Sequence, residues 1–166
     1  MSYAESILPE FDQEMASTRK VLERIPDDRL DWRAHPKSNT IGWNANHLAE
    51  MPEWVSGILT TTVFDTAPPG GEPYKTPALA TVREILEVFD RHVESARKAI
   101  AAAKDEDLGV EWTLARAGEP LLKMPRETVI RSLVLNHMIH HRAHLCVYLR
   151  LNDVPVPGMY GPSGDE

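Results

Sequence analysis

Hydrophobic residues recur every three or four positions in four separate segments of the chain, which is the spacing of amphipathic helices. The first stripe of this kind lies before Pro26, and it consists of Leu8, Phe11, Met15, Thr18, Leu22 and Ile25. Ser2 and Glu5 have the spacing of a capping box in front of it, while Pro9 allows a later start at Ser6. Because Pro26 cannot continue a helix, the pattern predicts a first helix that ends there.

The other three segments are also predicted to be helical. The second, residues 39–61, has an apolar stripe that consists of Trp43, His47, Met51, Trp54 and Ile58. Pro52 lies inside this stripe and removes a backbone hydrogen bond, so we expect a kink one turn after His47. The third segment begins with the capping-box residues Thr81 and Glu84 and continues to about residue 103. The fourth extends from about residue 126 to residue 151.

The segments between these helices add two features to the predicted fold. Residues 65–77 (DTAPPGGEPYKTP) are rich in proline and glycine and are long enough to cross from one end of a bundle to the other. Residues 111–125 alternate around Ala117 and Gly118, which predicts a short hairpin. The expected fold is therefore an all-α four-helix bundle, a single domain over residues 1–166, with a crossover loop and a hairpin before the last helix.

Composition narrows the class of protein. The formal charge is −7 and no stripe of Lys and Arg is present, which argues against binding to nucleic acid or to an anionic membrane. The apolar runs are too short to span a bilayer, and the N-terminus lacks the pattern of a signal peptide. A single cysteine, Cys146, excludes an internal disulfide. The sequence thus predicts a cytoplasmic domain.

The last helical segment contains four of the seven histidines of the chain within eight positions, namely His137, His140, His141 and His144. At about 100° per residue, the four imidazoles lie within an arc of about 100°. The apolar residues that share this arc are Ile130, Leu133, Tyr148 and Leu151. We therefore expect all four histidines to face the core, where neutral imidazoles bind a divalent cation through their lone pairs.

Histidines four positions apart on a helix lie one above the other, and this segment contains two such pairs. The spacing does not choose between His137 with His141 and His140 with His144. A third ligand is expected from His47 on the apolar stripe of the second helix. Three histidines with an open position are typical of a catalytic metal centre. The alternative without a metal is a buried cluster of hydrogen-bonded histidines.

Other residues are assigned from their positions on the helices. His92 shares the stripe of the third helix and is a candidate for a fourth ligand or for a partner of a ligand. Glu50 lies about 60° from His47 and is expected on a solvated face rather than as a hydrogen-bond acceptor or general base. His35 is expected at the surface, and Cys146 on the outward face of the last helix.

Two further regions bear on partners and substrate. Met138 and Leu149 are expected to form an outward apolar cluster on the last helix, and such a face would suit a homodimer. Tyr160 and Ser163 lie in the proline-rich tail. The tail is expected to be ordered and packed, with contact to a substrate as the alternative role of these two residues.

Three stretches of the sequence resemble the DinB-like (damage-inducible) family of bacterial four-helix bundles: WRAHPKSNTIGWNANHLAEMPEW, NHMIHHRAHLCVYLR and VPVPGMYGPSGDE. The resemblance covers nearly the whole chain. It implies a metal triad with one histidine from helix two and two from helix four, namely His47, His137 and His141. His144 stands where glutamine is common in that family, which implies that this position is not a ligand.

The resemblance also implies an activity, since relatives include thiol-dependent S-transferases and a mycothiol-dependent maleylpyruvate isomerase. The expected cofactor is a divalent ion, nickel or zinc, that holds a low-molecular-weight thiol as its thiolate for attack on a small electrophile. Two alternatives stay open. One is a metal-dependent hydrolase that uses metal-bound water. The other is a non-catalytic, stress-related bundle that binds a metal or another ligand.

Overall fold

The computed structural model describes residues 2–166. Its fold is built from four helical rods, each of which is one helix or a run of consecutive helical pieces. The first rod is α1 (Tyr3–Leu22), and it begins at the predicted capping box. The Ser2 hydroxyl accepts from the Glu5 N–H, and the Glu5 carboxylate accepts from the Ser2 N–H. These two bonds satisfy backbone donors that the first turn of a helix leaves free, so α1 starts here and not at Ser6.

The second rod is bent, as the proline predicted. Thr40 caps α2 (Ile41–Glu50) by accepting a hydrogen bond from a backbone N–H of its first turn. A single 3₁₀ turn, Met51–Glu53, contains Pro52 and joins α2 to α3 (Trp54–Thr60). The kink therefore lies directly after the turn that carries His47, and α2 and α3 are separate helices on either side of it.

The third rod is α4 (Val82–Ala102), and the capping box of Thr81 and Glu84 forms as predicted. A short helix, α5 (Asp105–Leu108), follows it and leads into the sheet. α4 packs against both α1 and the bent second rod. Within residues 2–166, no helix combines the length and the apolar character that crossing a membrane requires.

The fourth rod consists of three consecutive helical pieces. α6 (Arg126–Val129) is followed by a π-helical segment, Ile130–Asn136, and then by α7 (His137–Leu151). The outer bounds agree with the prediction, whereas the π-helical segment was not predicted. A π-helix closes its hydrogen bonds over five residues and not four, so it holds more residues per turn than an α-helix.

The prediction of a purely all-α fold is wrong in one respect, because the bundle carries a three-stranded sheet. The predicted hairpin is present: β2 (Glu111–Arg116) and β3 (Glu119–Pro125) pair in antiparallel fashion. Its turn residues Ala117 and Gly118 have φ of 54° and 82°, the left-handed values that a tight hairpin turn requires. The third strand, β1 (Val63–Asp65), pairs in parallel with β2 at the edge of the sheet.

The side of α7 that faces the core differs from the prediction. Its buried residues are Met138, His141, Arg142, Leu145 and Leu149. Met138 and Leu149 are fully buried, so the expected outward cluster of these two residues is wrong. His140 and His144 are exposed, so the expectation that all four histidines face the core is wrong as well. The homodimer stays a prediction, without this surface to support it.

The predicted direction of the histidines rested on four apolar residues. Ile130 and Leu133 lie inside the π-helical segment, which has more than 3.6 residues per turn and so shifts their phase relative to α7. Tyr148 and Leu151 lie in α7 itself, but Leu151 is 60% exposed and Tyr148 is only partly buried, so they do not mark its buried side. The apolar stripe drawn from the sequence therefore points to the wrong side of α7.

Candidate metal centre

Three imidazoles from two rods meet between α2 and the beginning of α7. They belong to His47, His137 and His141, and one ring nitrogen of each lies within 4.8 Å of the other two. Their ring centroids are 4.7–5.2 Å apart. Of the two pairs that the spacing allowed, the structure thus brings His137 and His141 to His47. The other pair, His140 and His144, has ring centroids 4.3 Å apart on the exposed side of α7.

Neighbouring oxygens fix the orientation of two of these rings. His47 Nδ1 lies 2.7 Å from Glu50 Oε1, and His141 Nδ1 lies 3.0 Å from Asn44 Oδ1. A carboxylate or amide oxygen only accepts, so both Nδ1 atoms carry the proton and both Nε2 atoms keep a lone pair. Metal-binding histidines are held in this way by carboxylate and carbonyl groups.

The donor atoms of the triad fit a divalent cation. His141 Nε2 lies 2.9 Å from His137 Nε2. Two lone pairs repel each other at this distance unless a proton or a cation lies between them. Three neutral imidazoles in a partly open arrangement are a common zinc ligand set, and imidazole also suits nickel.

Glu50 is buried against the triad, and the expected solvated position is therefore wrong. Its side chain is 9% exposed, and its Oε1 accepts from both His47 and the hydroxyl of Tyr74. Burial and the Glu50 carboxylate raise the pKa of Tyr74, which keeps the phenol protonated and able to donate. Thr76 Oγ1 lies 3.4 Å from the same nitrogen of His47. The crossover loop thus reaches back to the triad through two residues.

Two tryptophans shield the triad from solvent. The ring of Trp43 lies 4.5 Å from that of His47 and 5.6 Å from that of His141. Trp54 lies against the rings of His47 and His137 at 5.4 Å and 5.9 Å. Burial, with the neighbouring imidazoles, lowers the pKa of His141 to about 3 and also lowers that of His137. Both rings are consequently neutral at neutral pH, with lone pairs available to a cation.

The remaining candidates lie outside the triad. His92 places Nδ1 2.9 Å from the Ala49 carbonyl oxygen, so it contacts the backbone of α2 and not the cluster. His35 is exposed, as predicted. Cys146 is half-buried beside the core, and its burial raises the pKa of the thiol, which opposes a role as nucleophile.

The tail packs against α1 and α7 through Tyr160. The Tyr160 hydroxyl donates to Glu14 on α1, with its oxygen 3.0 Å from Oε1, and accepts from Arg142 Nη2 at 2.7 Å. Arg142 Nη2 in turn lies 2.6 Å from Glu14 Oε2. The Ser163 hydroxyl accepts from the backbone N–H of Asp165, within the tail itself. Tyr160 therefore attaches the tail to the helices, and neither tail residue is hydrogen-bonded to the triad.

A cavity of about 480 Å³ opens beside the triad. It lies between α3, the sheet, the crossover loop and the π-helical segment, and His47 and His137 contribute to its wall. The apolar part of the wall consists of Trp54, Ile58, Val63, Phe64, Trp112, Leu114 and Leu133. The lining of this cavity could not be identified from the sequence, because the four elements that enclose it are distant along the chain.

A bent helical bundle with three histidines gathered between its second and fourth rods defines the class of this protein. The profile of the DinB superfamily matches residues 10–145, and the chain belongs to this superfamily. The resemblance noted in the sequence is thereby confirmed.

Known relatives and solved structures agree with this assignment. The chain is 25% identical to the protein YrdA of Bacillus subtilis strain 168 over 163 residues, which cover 96% of this chain and 89% of YrdA. A DinB-like protein from Bacillus cereus ATCC 10987 is similar in structure, with a TM-score of 0.71 and 24% identity over 94% of this chain and 97% of that one. YfiT from Bacillus subtilis, described as a probable metal-dependent hydrolase with an unusual four-helix bundle topology, has a TM-score of 0.67 and 17% identity over 90% of this chain and 87% of its own.

Proposed function

We propose that this protein is a metal-dependent thiol S-transferase, in which His47, His137 and His141 hold a zinc or nickel ion. The observation that carries the proposal is the orientation of the rings, with Nδ1 of His47 and His141 bonded to Glu50 and Asn44, so that each Nε2 keeps its lone pair. When bound, such a cation supplies the positive charge that keeps a coordinated thiol deprotonated.

The chain itself contributes orientation and exclusion of water. Glu50 and Asn44 hold two imidazoles in the tautomer that offers Nε2. Tyr74 holds Glu50 in place from the crossover loop. Trp43 and Trp54 cover the rings, and a drier site strengthens every electrostatic interaction within it.

Two features support a thiol as the nucleophile. Glu50 Oε1 already accepts from His47 and Tyr74, so taking up a further proton there would disturb the orientation of the triad. A coordinated thiol is deprotonated by the cation and needs no base from the protein. Cys146, the one cysteine of the chain, lies outside the triad, so the thiol is a separate small molecule.

Hydrolysis is the second candidate, and one residue favours it. Glu53 contributes to the wall of the cavity beside the triad, and in this candidate its carboxylate accepts a proton from the attacking water. The description of YfiT as a probable metal-dependent hydrolase points in the same direction. Turnover of esters or amides without added thiol, lost in Glu53→Gln, would favour this candidate.

The first test is metal content by elemental mass spectrometry on untagged protein, with His137→Ala and the exposed neighbour His140→Ala as a matched pair. We expect close to one zinc or nickel per chain in the wild type and in His140→Ala, and loss of the metal in His137→Ala. The loaded protein is then given cysteine, glutathione, bacillithiol or mycothiol with 1-chloro-2,4-dinitrobenzene. In that reaction a carbon–sulfur bond forms, chloride leaves and the thiol proton passes to solvent.

Absence of metal from all three proteins, even after reconstitution, would overturn the proposal. Metal binding without thiol conjugation would leave the hydrolase or a non-catalytic bundle.

A further inference from the structure

We infer that the cavity beside the triad binds an uncharged, largely apolar molecule, and that Gly57 sets its width. The role of this molecule as the electrophile of the reaction rests on the proposed function. Its binding to the cavity can be measured in the absence of metal. The cavity of about 480 Å³ lies in the usual range for sites that take small organic ligands.

The hydroxyl groups of the cavity wall are already engaged within the protein. Thr61 Oγ1 donates to the Gly57 carbonyl at 2.8 Å and accepts from Trp112 Nε1 at 3.2 Å. Thr66 Oγ1 donates to the Ala115 carbonyl at 3.2 Å. The Tyr74 hydroxyl donates to Glu50. Away from Glu53 and the histidines, the wall thus presents carbon surface to a ligand, and a ligand with many hydrogen-bonding groups would lose their hydration without replacement.

Charge excludes a second group of ligands. Glu53 is the acidic residue of the wall, and no Lys or Arg lies among the lining residues described. Away from the triad, an anionic group in the cavity would face this carboxylate and an apolar wall, with no Lys or Arg side chain to compensate. Low-molecular-weight thiols carry several charged or polar groups, so the cavity suits the electrophile and not the body of the thiol.

Gly57 is an unusual residue for its position. It lies inside α3, where glycine is unfavourable, on the same face as Trp54, Ile58 and Thr61, which also line the cavity. A Cβ added to Gly57 would meet no atom within 4 Å. Gly57 is exposed and lines the cavity, so close packing does not require a glycine here, and the absence of a side chain leaves open space at the cavity wall.

The experiment uses two probes that differ by one charge. N-phenyl-1-naphthylamine is uncharged, and 8-anilino-1-naphthalenesulfonate has the same skeleton with a sulfonate. Each is titrated into metal-free full-length protein, and its fluorescence is followed directly and by energy transfer from tryptophan. We expect one site per chain for the uncharged probe and binding of the sulfonate that is weaker by about tenfold or more. Glu53→Gln should narrow this difference between the two probes.

Two substitutions on opposite walls test the location. Gly57→Leu places a side chain in the cavity, and leucine has a higher helix propensity than glycine, so α3 is not weakened. Phe64→Asp places a charge on the β1 wall at a residue that is already 45% exposed. Each is expected to weaken the uncharged probe by about tenfold, whereas Gly57→Ala, the matched control, should retain most of the affinity.

Wild-type affinity for the uncharged probe in both Gly57→Leu and Phe64→Asp would overturn the inference, as would equal affinity for the two probes. The two proposals can fail separately. If the protein binds the probe in a Gly57-dependent way but binds neither metal nor thiol, the cavity inference stands and the transferase proposal fails. If the protein has thiol-transfer activity but binds neither probe, the transferase proposal stands and the cavity is not its electrophile site.

Discussion

Asn44 on α2 and His141 on α7, 97 residues apart in the chain, meet through a 3.0 Å contact between the amide Oδ1 and the imidazole Nδ1. The contact fixes both the tautomer and the direction of the His141 ring. It also joins the two rods that supply the triad, so the donor atoms and the packing of the bundle depend on the same pair of residues.

Replacement of Asn44 is therefore expected to weaken metal binding, although Asn44 is not itself a ligand. Loss of such a partner lowers metal affinity by about 10- to 100-fold, and we expect this for Asn44→Leu in competition with a chelator of known affinity. The matched control is Asn46→Leu. Asn46 is buried on the same helix, but it bonds to the Gly42 and Leu79 backbones and not to the triad. Equal losses in both variants would contradict the assigned role.

The Tyr74 hydroxyl is expected to tether the crossover loop to the metal centre. Tyr74→Phe removes its hydrogen bond to the buried Glu50 carboxylate, which should cost about 1–3 kcal/mol of unfolding free energy. Urea unfolding measures the loss, and limited proteolysis should show faster cleavage within residues 65–77. In the Glu50→Gln background, Tyr74→Phe should lower the unfolding free energy by less, because the charged hydrogen-bond acceptor is gone. Equal costs in both backgrounds would show that the contact contributes little.

The metal-free protein is expected to lose stability as the pH falls from about 6.5 towards 3. The pKa of His141 is lowered from 6.5 to about 3 in the folded protein, so between these values the unfolded chain binds a proton that the folded chain does not. The unfolding free energy therefore falls with pH by up to about 1.4 kcal/mol per unit from this group.

Urea unfolding in the presence of a chelator, at pH 7 and pH 5, measures this dependence. His141→Gln should lose less stability than the wild type over the same interval. The prediction fails if the two proteins show the same difference between the two pH values.

The ion pair of Glu14 and Arg142 is expected to be essential for folding stability, in contrast to the exposed pairs of the same bundle. Both side chains are buried, and their closest atoms are 2.6 Å apart. Glu14→Gln leaves the guanidinium without its counter-charge, which should cost about 3–5 kcal/mol of unfolding free energy.

Asp12→Asn is the control for this measurement. It breaks the pair of Asp12 with Arg97, which also joins α1 to another helix but lies in solvent, and should cost less than about 1 kcal/mol. Similar costs for the two variants would show that burial does not distinguish the pairs.

Features of the fold that depend on neighbouring residues could be predicted from the sequence. The capping boxes at Ser2 and Thr81 involve residues three positions apart, and the turn at Ala117 and Gly118 needs only two residues with a permitted positive φ. The kink at Pro52 follows from a missing backbone donor. Each of these is decided within one turn of the chain.

Features that depend on distant partners could not. The three residues of β1 are too few for an alternating pattern, and the strand exists because β2 offers it an edge. Asn44 and Tyr74 gave no signal, since an asparagine in a helix and a tyrosine in a loop are ordinary until the partner is known. The predicted directions of His140 and His144 were wrong because no local rule placed the π-helical segment and because Tyr148 and Leu151, which share the predicted face, are not buried.

That π-helical segment divides the last rod into two parts whose directions are set independently. In α6, Arg126 donates to the backbone carbonyls of Asp107 and Thr61 and holds the rod to the region around the sheet. Beyond Asn136, the first turns of α7 present His137 and His141 to α2. A π-helical turn holds more residues than an α-helical turn. We therefore expect that this segment can gain or lose a residue while α6 and α7 keep their partners. In related sequences, insertions and deletions within the rod should therefore concentrate at residues 130–136, where they would retune the metal site without disturbing the sheet.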